Sequence, residues 1–151
     1  MKKLKIWCFL MLMAMVLPTM VACGDNDDPE VDINSYVIGK WHSSYAEVYN
    51  NGQRNSVEIN KTGEFASVYI EMSFKKDGTC LLGGWQQDSN GLLKWYEEEG
   101  KYSIKGDMVD VTDSDGYTIS MVFDNKQKTL CIHTITTVNN TQVTVNLYLT
   151  K

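Results

Sequence analysis

Between Tyr102 and Leu149 a single apolar face runs unbroken through four successive hairpins, a pattern that few folds accommodate. Loop length fixes which residues face each other across a hairpin, and the period of two fixes the side of the sheet each occupies. A two-residue turn at Gly106-Asp107 sets Ile104 opposite Val109 and Tyr102 opposite Val111. A loop at Ser114-Asp115-Gly116 sets Val111 opposite Ile119 and Val109 opposite Met121, and a four-residue loop from Asp124 to Gln127 brings Leu130 opposite Met121. Asn139-Asn140 then sets Leu130, Ile132, Thr134 and Thr136 against Leu149, Leu147, Val145 and Val143. Upstream, a three-residue loop at Lys76-Asp77-Gly78 pairs Phe74 with Cys80 and Met72 with Leu82, on one face with Val68 and Ile70. Turn chemistry and alternation that agree over so many hairpins point to an antiparallel meander.

The whole chain from Tyr36 onward is strand-like, with β-branched and aromatic residues alternating with polar ones between Gly, Asn and Asp clusters. Strands are expected near 40–49, 55–61, 66–75, 79–86, 92–98, 101–105, 108–113, 117–123, 129–138 and 142–150, two or three of which merge to leave about eight to ten. No segment sustains a helical period, and "VDINSYVIG" alone suits a short helical turn. A meander of this many strands hides its edges best by closing into a barrel, so the fold expected is an all-β up-and-down barrel; a β-sandwich is the alternative.

The first 22 residues read differently. Lys2, Lys3 and Lys5 precede the apolar run "IWCFLMLMAMV" (6–16), which Leu17, Pro18 and Thr19 break. A spanning helix needs about 20 apolar residues, so this run has the length of a cleaved signal peptide rather than of a membrane anchor. Met20-Val21-Ala22-Cys23-Gly24 resembles the lipobox of bacterial lipoproteins. The resemblance implies cleavage before Cys23 and its modification with acyl chains such as palmitate. Several chains hold a protein on a membrane stably where one holds it marginally. Asp25, Asn26, Asp27, Asp28 and Glu30 then begin a solvated tether over 23–35. This acidic run resembles the export signals that carry some Gram-negative lipoproteins from the periplasmic face of the outer membrane to the cell surface. Its plain alternative is a charged linker.

Without the leader and its three lysines, 11 basic residues face 19 acidic ones, a net charge of about −8. Nucleic acid is therefore not an expected partner, because its binding rests on clustered Lys and Arg. Cys8 leaves with the leader and Cys23 goes to lipid, so Cys80 and Cys131 remain in the domain. By the register above Cys80 lies on the inner face and Cys131 on the outer one with His133, which argues against a disulfide between them.

The domain itself, 36–151, resembles the small lipocalin-like domains of bacterial lipoproteins. Gly39-Lys40-Trp41 is similar to the G-x-W that opens that family's first strand, and the hairpin "FKKDGTC" (74–80) and "GKYSIKGDMVDVTD" (100–113) fit the same pattern. The resemblance implies a barrel that Trp41 plugs at its closed end and whose interior, toward Val68, Ile70, Met72 and Leu147, holds a small apolar ligand. A barrel of eight strands can equally be filled by its own side chains.

Chemistry-bearing clusters are few. His42 and His133 are the only imidazoles, too few for a zinc site. "DVTDSDG" (110–116) has calcium-loop spacing, but positions 111 and 122, where acids are needed, are both Val, so it reads as a tight hairpin. Cys131 and His133 share a face without a third group to orient the His. No catalytic group, cofactor or metal is expected. The irregular stretch is "GGWQQDSNGLLKWYEEEGKY" (83–102), where Asn90-Gly91 and Ser89-Asn90-Gly91 loops give different registers and Trp85, Trp95 and Tyr96 cannot all face inward. Such aromatic surface offers large contact area to a glycan or a protein partner. Two functions therefore remain open: an anchored carrier of a small apolar ligand, and a surface module that recognises a partner through the aromatic hairpin.

Overall fold

The computed structural model describes residues 31–138 and 141–151; the leader, Cys23, the acidic run to Glu30 and the Asn139-Asn140 turn lie outside the described residues. A short helix α1 (Ile33–Tyr36) leads into nine antiparallel strands: β1 (Gly39–Asn50), β2 (Gln53–Glu58), β3 (Ile70–Phe74), β4 (Thr79–Gln87), β5 (Leu93–Lys105), β6 (Met108–Thr112), β7 (Thr118–Asp124), β8 (Thr129–Val138) and β9 (Thr141–Thr150). They pair in the order β2-β1-β3-β4-β5-β6-β7-β8-β9, and β1 also pairs with β9. That last pairing closes eight strands into an up-and-down barrel, with β2 as an extra strand beside the upper part of β1, and so decides against the sandwich. The barrel closes within residues 39–150 and carries its own core.

The hairpin registers follow the turn chemistry. Phe74 faces Cys80, Ile104 faces Val109, Val111 faces Ile119 and Leu130 faces Leu149. Gly78 and Gly106 take the left-handed conformation that these tight loops demand (φ 83° and 62°). One register differs: Leu130 lies opposite Phe123, not Met121. Asp124 closes the strand by pairing with Thr129, its Oδ1 accepting from the backbone N–H of Lys126 and Gln127 at 2.8 and 2.9 Å, so the four-residue loop is 125–128. The shift is two residues, which preserves the face, and Met121, Phe123, Leu130 and Ile132 all remain inside.

A second difference concerns the expected strand 66–75. Residues Ala66–Val68 form a 3-10 turn and β3 begins at Ile70. The upper half of β1 pairs with β2 and the lower half with β3, so residues 59–69 must cross from one level to the other. Val68 is therefore 37% exposed, off the inner face where alternation had put it.

The two ends of the barrel are unlike. At the α1 end, Asp32 caps the helix through its carboxylate (Asn34 N–H at 3.1 Å), and Trp41, 1% exposed, donates from Nε1 to Val37 O at 2.7 Å. Phe74, Met121, Leu130 and Leu149 pack into the same cluster. Burying one Trp removes about 150–250 Å² from water, worth roughly 4–6 kcal/mol as an upper bound. At the other end the β6–β7 hairpin is short. Its pairing with β5 reaches Lys101 and Thr112, and its pairing with β8 reaches Val122 and Cys131. Among the described residues, β5 above Lys101 thus pairs with β4 alone and β8 above Cys131 with β9 alone. A gap opens in the upper wall between them.

Candidate functional site

Of the residues expected inside, Trp41, Ile70, Met72 and Leu147 are buried in one cluster, between 1% and 7% exposed. Trp41 belongs to the sealed end. Above it the inner face loosens: Val48, Ile119, Thr134, Thr136 and Val145 are half-buried, and Tyr96 is 41% exposed. Asp113, at the lower lip of the gap, is 6% exposed, and its Oδ1 accepts from the N–H of Asp115 and of Tyr117, both at 2.9 Å. These bonds make 113–117 a capped hairpin, as the sequence suggested. Its Oδ2 is buried without a protein partner among the described residues.

The aromatic hairpin resolves into two sites. Asp88 N–H donates to Leu92 O at 2.9 Å, which selects the three-residue Ser89-Asn90-Gly91 loop and sets Trp85 directly opposite Trp95. Their rings meet edge to face, 5.5 Å apart, on the outer wall. Tyr96, the next residue, points to the opposite face and belongs to the barrel's open end.

Beside the tryptophans the outer wall holds a groove of about 270 Å³, lined on one side by His42, Tyr69 and Glu71 and on the other by Leu81, Gly83 and Glu97. The strands set these residues at alternate positions: β1 supplies His42, β3 Glu71, β4 Leu81 and Gly83, and β5 Glu97. The Trp95 ring lies across β4 because Gly83 has no side chain: a Cβ there would stand 2.5 Å from Cζ2 of Trp95. Trp95 Nε1 donates to Glu97 Oε1 at 3.1 Å. The 59–69 crossing closes the upper side, since Trp85 Nε1 donates to Lys61 O at 3.2 Å and the Lys61 ammonium sits 3.9 Å over the Trp95 ring.

Glu71 is the hub of this wall. Its Oε1 accepts from Lys61 Nζ at 2.9 Å and from Tyr69 Oη at 3.1 Å. Burial alone would raise its pKa, but the bonds from Lys61 and Tyr69 and the charges of Lys61 and Lys40 outweigh it and hold the carboxyl below its ordinary value. Tyr69 is pushed the other way, to about 12, by burial and then by its bond to Glu71. The site is thus a fixed carboxylate next to a neutral phenol. Alternation marks Trp85 and Trp95, but nothing in the sequence sets Tyr69, Glu71, His42 and Lys61 beside them. They lie 14 to 53 residues away in sequence from the two tryptophans and meet them only when β3 and the crossing loop are placed.

Among the described residues no group of three or more His, Cys, Asp or Glu side chains is placed to hold a metal ion. Cys80 and Cys131 are free thiols.

No protein-family model matches the chain, and no curated protein matches it by sequence. Its fold is similar to that of a lipocalin-like protein from Bacteroides uniformis, with TM-score 0.41 and 14% identity, covering 75% of this chain and 96% of that one. It is also similar to the siderocalin Ex-FABP, with TM-score 0.40 and 10% identity over 76% of this chain and 73% of that one. Lobster apocrustacyanin A1 is a third, with TM-score 0.38 and 15% identity over 78% of this chain and 61% of that one. The likeness is one of fold. The eight-stranded up-and-down barrel, entered by a short helix and plugged by Trp41, is the architecture expected from the sequence.

Proposed function

We propose that this chain is a lipoprotein of the outer membrane, anchored through acylated Cys23 and displayed at the cell surface, whose barrel binds a small apolar ligand. The observation that supports the carrier reading is the contrast between the barrel's ends: one solid around Trp41, the other lined by half-buried Val48, Ile119, Thr134, Thr136 and Val145 beneath a gap in the wall. Apolar walls with a few fixed polar groups are what small-molecule sites share. Asp113 Oδ2 supplies such a group, a buried acceptor that favours a ligand with one donor at an otherwise apolar body.

The test is a titration of the chain from Gly24 onward, which contains the whole barrel, with a fatty acid, haem and a bile salt, read by intrinsic fluorescence and calorimetry. Saturable binding that Val145→Trp abolishes, by filling the upper interior, is the expected result. No binding across the panel removes the carrier reading.

A second reading has its own support. Trp85 and Trp95 pack together on the outer wall, beside a groove with polar walls, and this favours recognition of a glycan or protein partner there, outside the barrel.

A further inference from the structure

We propose that the outer-wall groove lined by Tyr69, Glu71 and Glu97, with Trp95 beside it, is a saccharide site that takes a neutral pyranose ring; the inference rests on the second reading above and is independent of the carrier reading. Three features of the groove lead to this chemistry.

The first is an aromatic wall held in place before any ligand arrives. Trp95 is folded onto the bare backbone of Gly83 and tied through Nε1 to Glu97, while Tyr69, 7% exposed, faces it with ring centroids 6.1 Å apart. A pyranose has one face of C–H groups, polarised by neighbouring oxygens, which packs on the electron-rich face of an indole. With its other face on Gly83, Trp95 holds a partner of that polarity on its outward face, the Lys61 ammonium, and a pyranose stacks there by taking the place of Lys61, whose side chain is 44% exposed on a loop outside the sheet.

The second feature is a set of hydrogen-bonding groups at the rim. Both bonds to Glu71, from Lys61 and Tyr69, end on Oε1, as does the bond from Trp95 to Glu97, so the second oxygen of each carboxylate accepts from no protein donor among the described residues. Glu71 is held ionised, so its free oxygen is a strong acceptor for a hydroxyl. Lys40 and His42 supply donors on the β1 side.

The third is charge balance, which decides between ligand classes. Lys40 and Lys61 oppose Glu71 and Glu97, so an anion or a cation entering the groove meets as many repulsions as attractions, two of each. A fully apolar ligand would strip water from four charged groups without replacing its hydrogen bonds. A neutral polyhydroxylated ring satisfies donors and acceptors together and still has an apolar face for Trp95. A groove of about 270 Å³ is of a size for one or two such rings, not for a long chain.

The test uses the chain from Gly24 onward with the methyl pyranosides of glucose, galactose, mannose and N-acetylglucosamine, with choline and decanoate alongside, followed by saturation-transfer NMR and calorimetry. At least one pyranoside is expected to bind, with transfer strongest to the protons of one ring face. Glu71→Gln, which keeps the side chain's size, and Trp95→Ala should each weaken that binding about tenfold or more. Val145→Trp, inside the barrel, should leave it unchanged. Absence of pyranoside binding at millimolar concentration overturns the proposal, as does binding that both outer-wall variants leave intact, or choline binding in the sugar's place. Decanoate binding that responds to Val145→Trp alone reports on the carrier reading and leaves these outcomes distinct.

Discussion

Gly83 shows how a residue without a side chain can build a site. Its missing Cβ is the space into which the Trp95 ring folds, and Gly83→Ala would drive a methyl into that ring. Either the indole leaves the wall or the strand shifts, at a cost of about 1–3 kcal/mol; chemical denaturation should read that loss, and a red-shifted emission should accompany it as Trp95 meets water. Glu47 illustrates the opposite arrangement, a charge kept on purpose. It is 6% exposed on the outer face of β1 and accepts from Tyr49 Oη at 2.8 Å, from Tyr148 Oη at 3.1 Å and from the Arg54 guanidinium. Burial works to raise its pKa, but these bonds more than offset it and the net shift is downward from 4.5. A carboxylate whose folded pKa is depressed contributes stability in full above its unfolded value and loses it as pH falls through the folded one. Wild-type stability should therefore drop with acid below about 4.5, and Glu47→Gln should start less stable at neutral pH and show a shallower fall across that window. Equal slopes in urea unfolding at several pH values would refute the assignment.

At the scale of elements, alternation and turn chemistry carried most of the fold, because period two leaves only one face free to be apolar and short loops leave little choice of register. The hairpin at 125–128 departs by two residues since Asp124, a good turn former, serves as the last ladder residue and caps the loop with its carboxylate. The 3-10 turn at Ala66–Val68 was hidden for a different reason: "FASVYI" has the β-branched and aromatic content of a strand, and only the need to change levels between β2 and β3 takes it out of the sheet. The same limit applies to the groove, whose Tyr69, Glu71 and Trp95 come from a crossing loop and two strands that sequence alone does not bring side by side. Face assignment did serve for the cysteines. Cys80 lies inside β4 and Cys131 opposite Tyr148 on the outer side of β8. Burial pushes both thiols up to about 11, so neither is a ready nucleophile at neutral pH. Protein recovered by way of the secretory pathway should show both thiols free after unfolding, and neither should react quickly with a maleimide before it. A band shift on reduction would mean that the two strands approach differently.

For the whole molecule, the direction of the chain relates the proposed anchor to the open end. The polypeptide enters at α1, which lies against the sealed end through Tyr36, whose ring contacts Trp41 edge to face at 6.0 Å and Phe123 at 5.4 Å. The proposed tether from Cys23 would therefore join the barrel at its solid base, and a barrel held there would turn its open end and the top of the aromatic hairpin away from the lipid. This orientation suits both readings of the function, since apolar ligand and glycan alike would arrive from the aqueous side. The proposed anchoring rests on a single atom, the Cys23 sulfur. Replacing Cys23 with Ala should abolish incorporation of an alkyne-labelled palmitate and move the chain from the membrane to the soluble fraction. The barrel's melting temperature should not change, because the cluster around Trp41, Phe74 and Leu149 is built by residues between Val37 and Leu149. A Cys23→Ala chain that stays in the membrane would mean that the leader itself, uncleaved, provides the anchor.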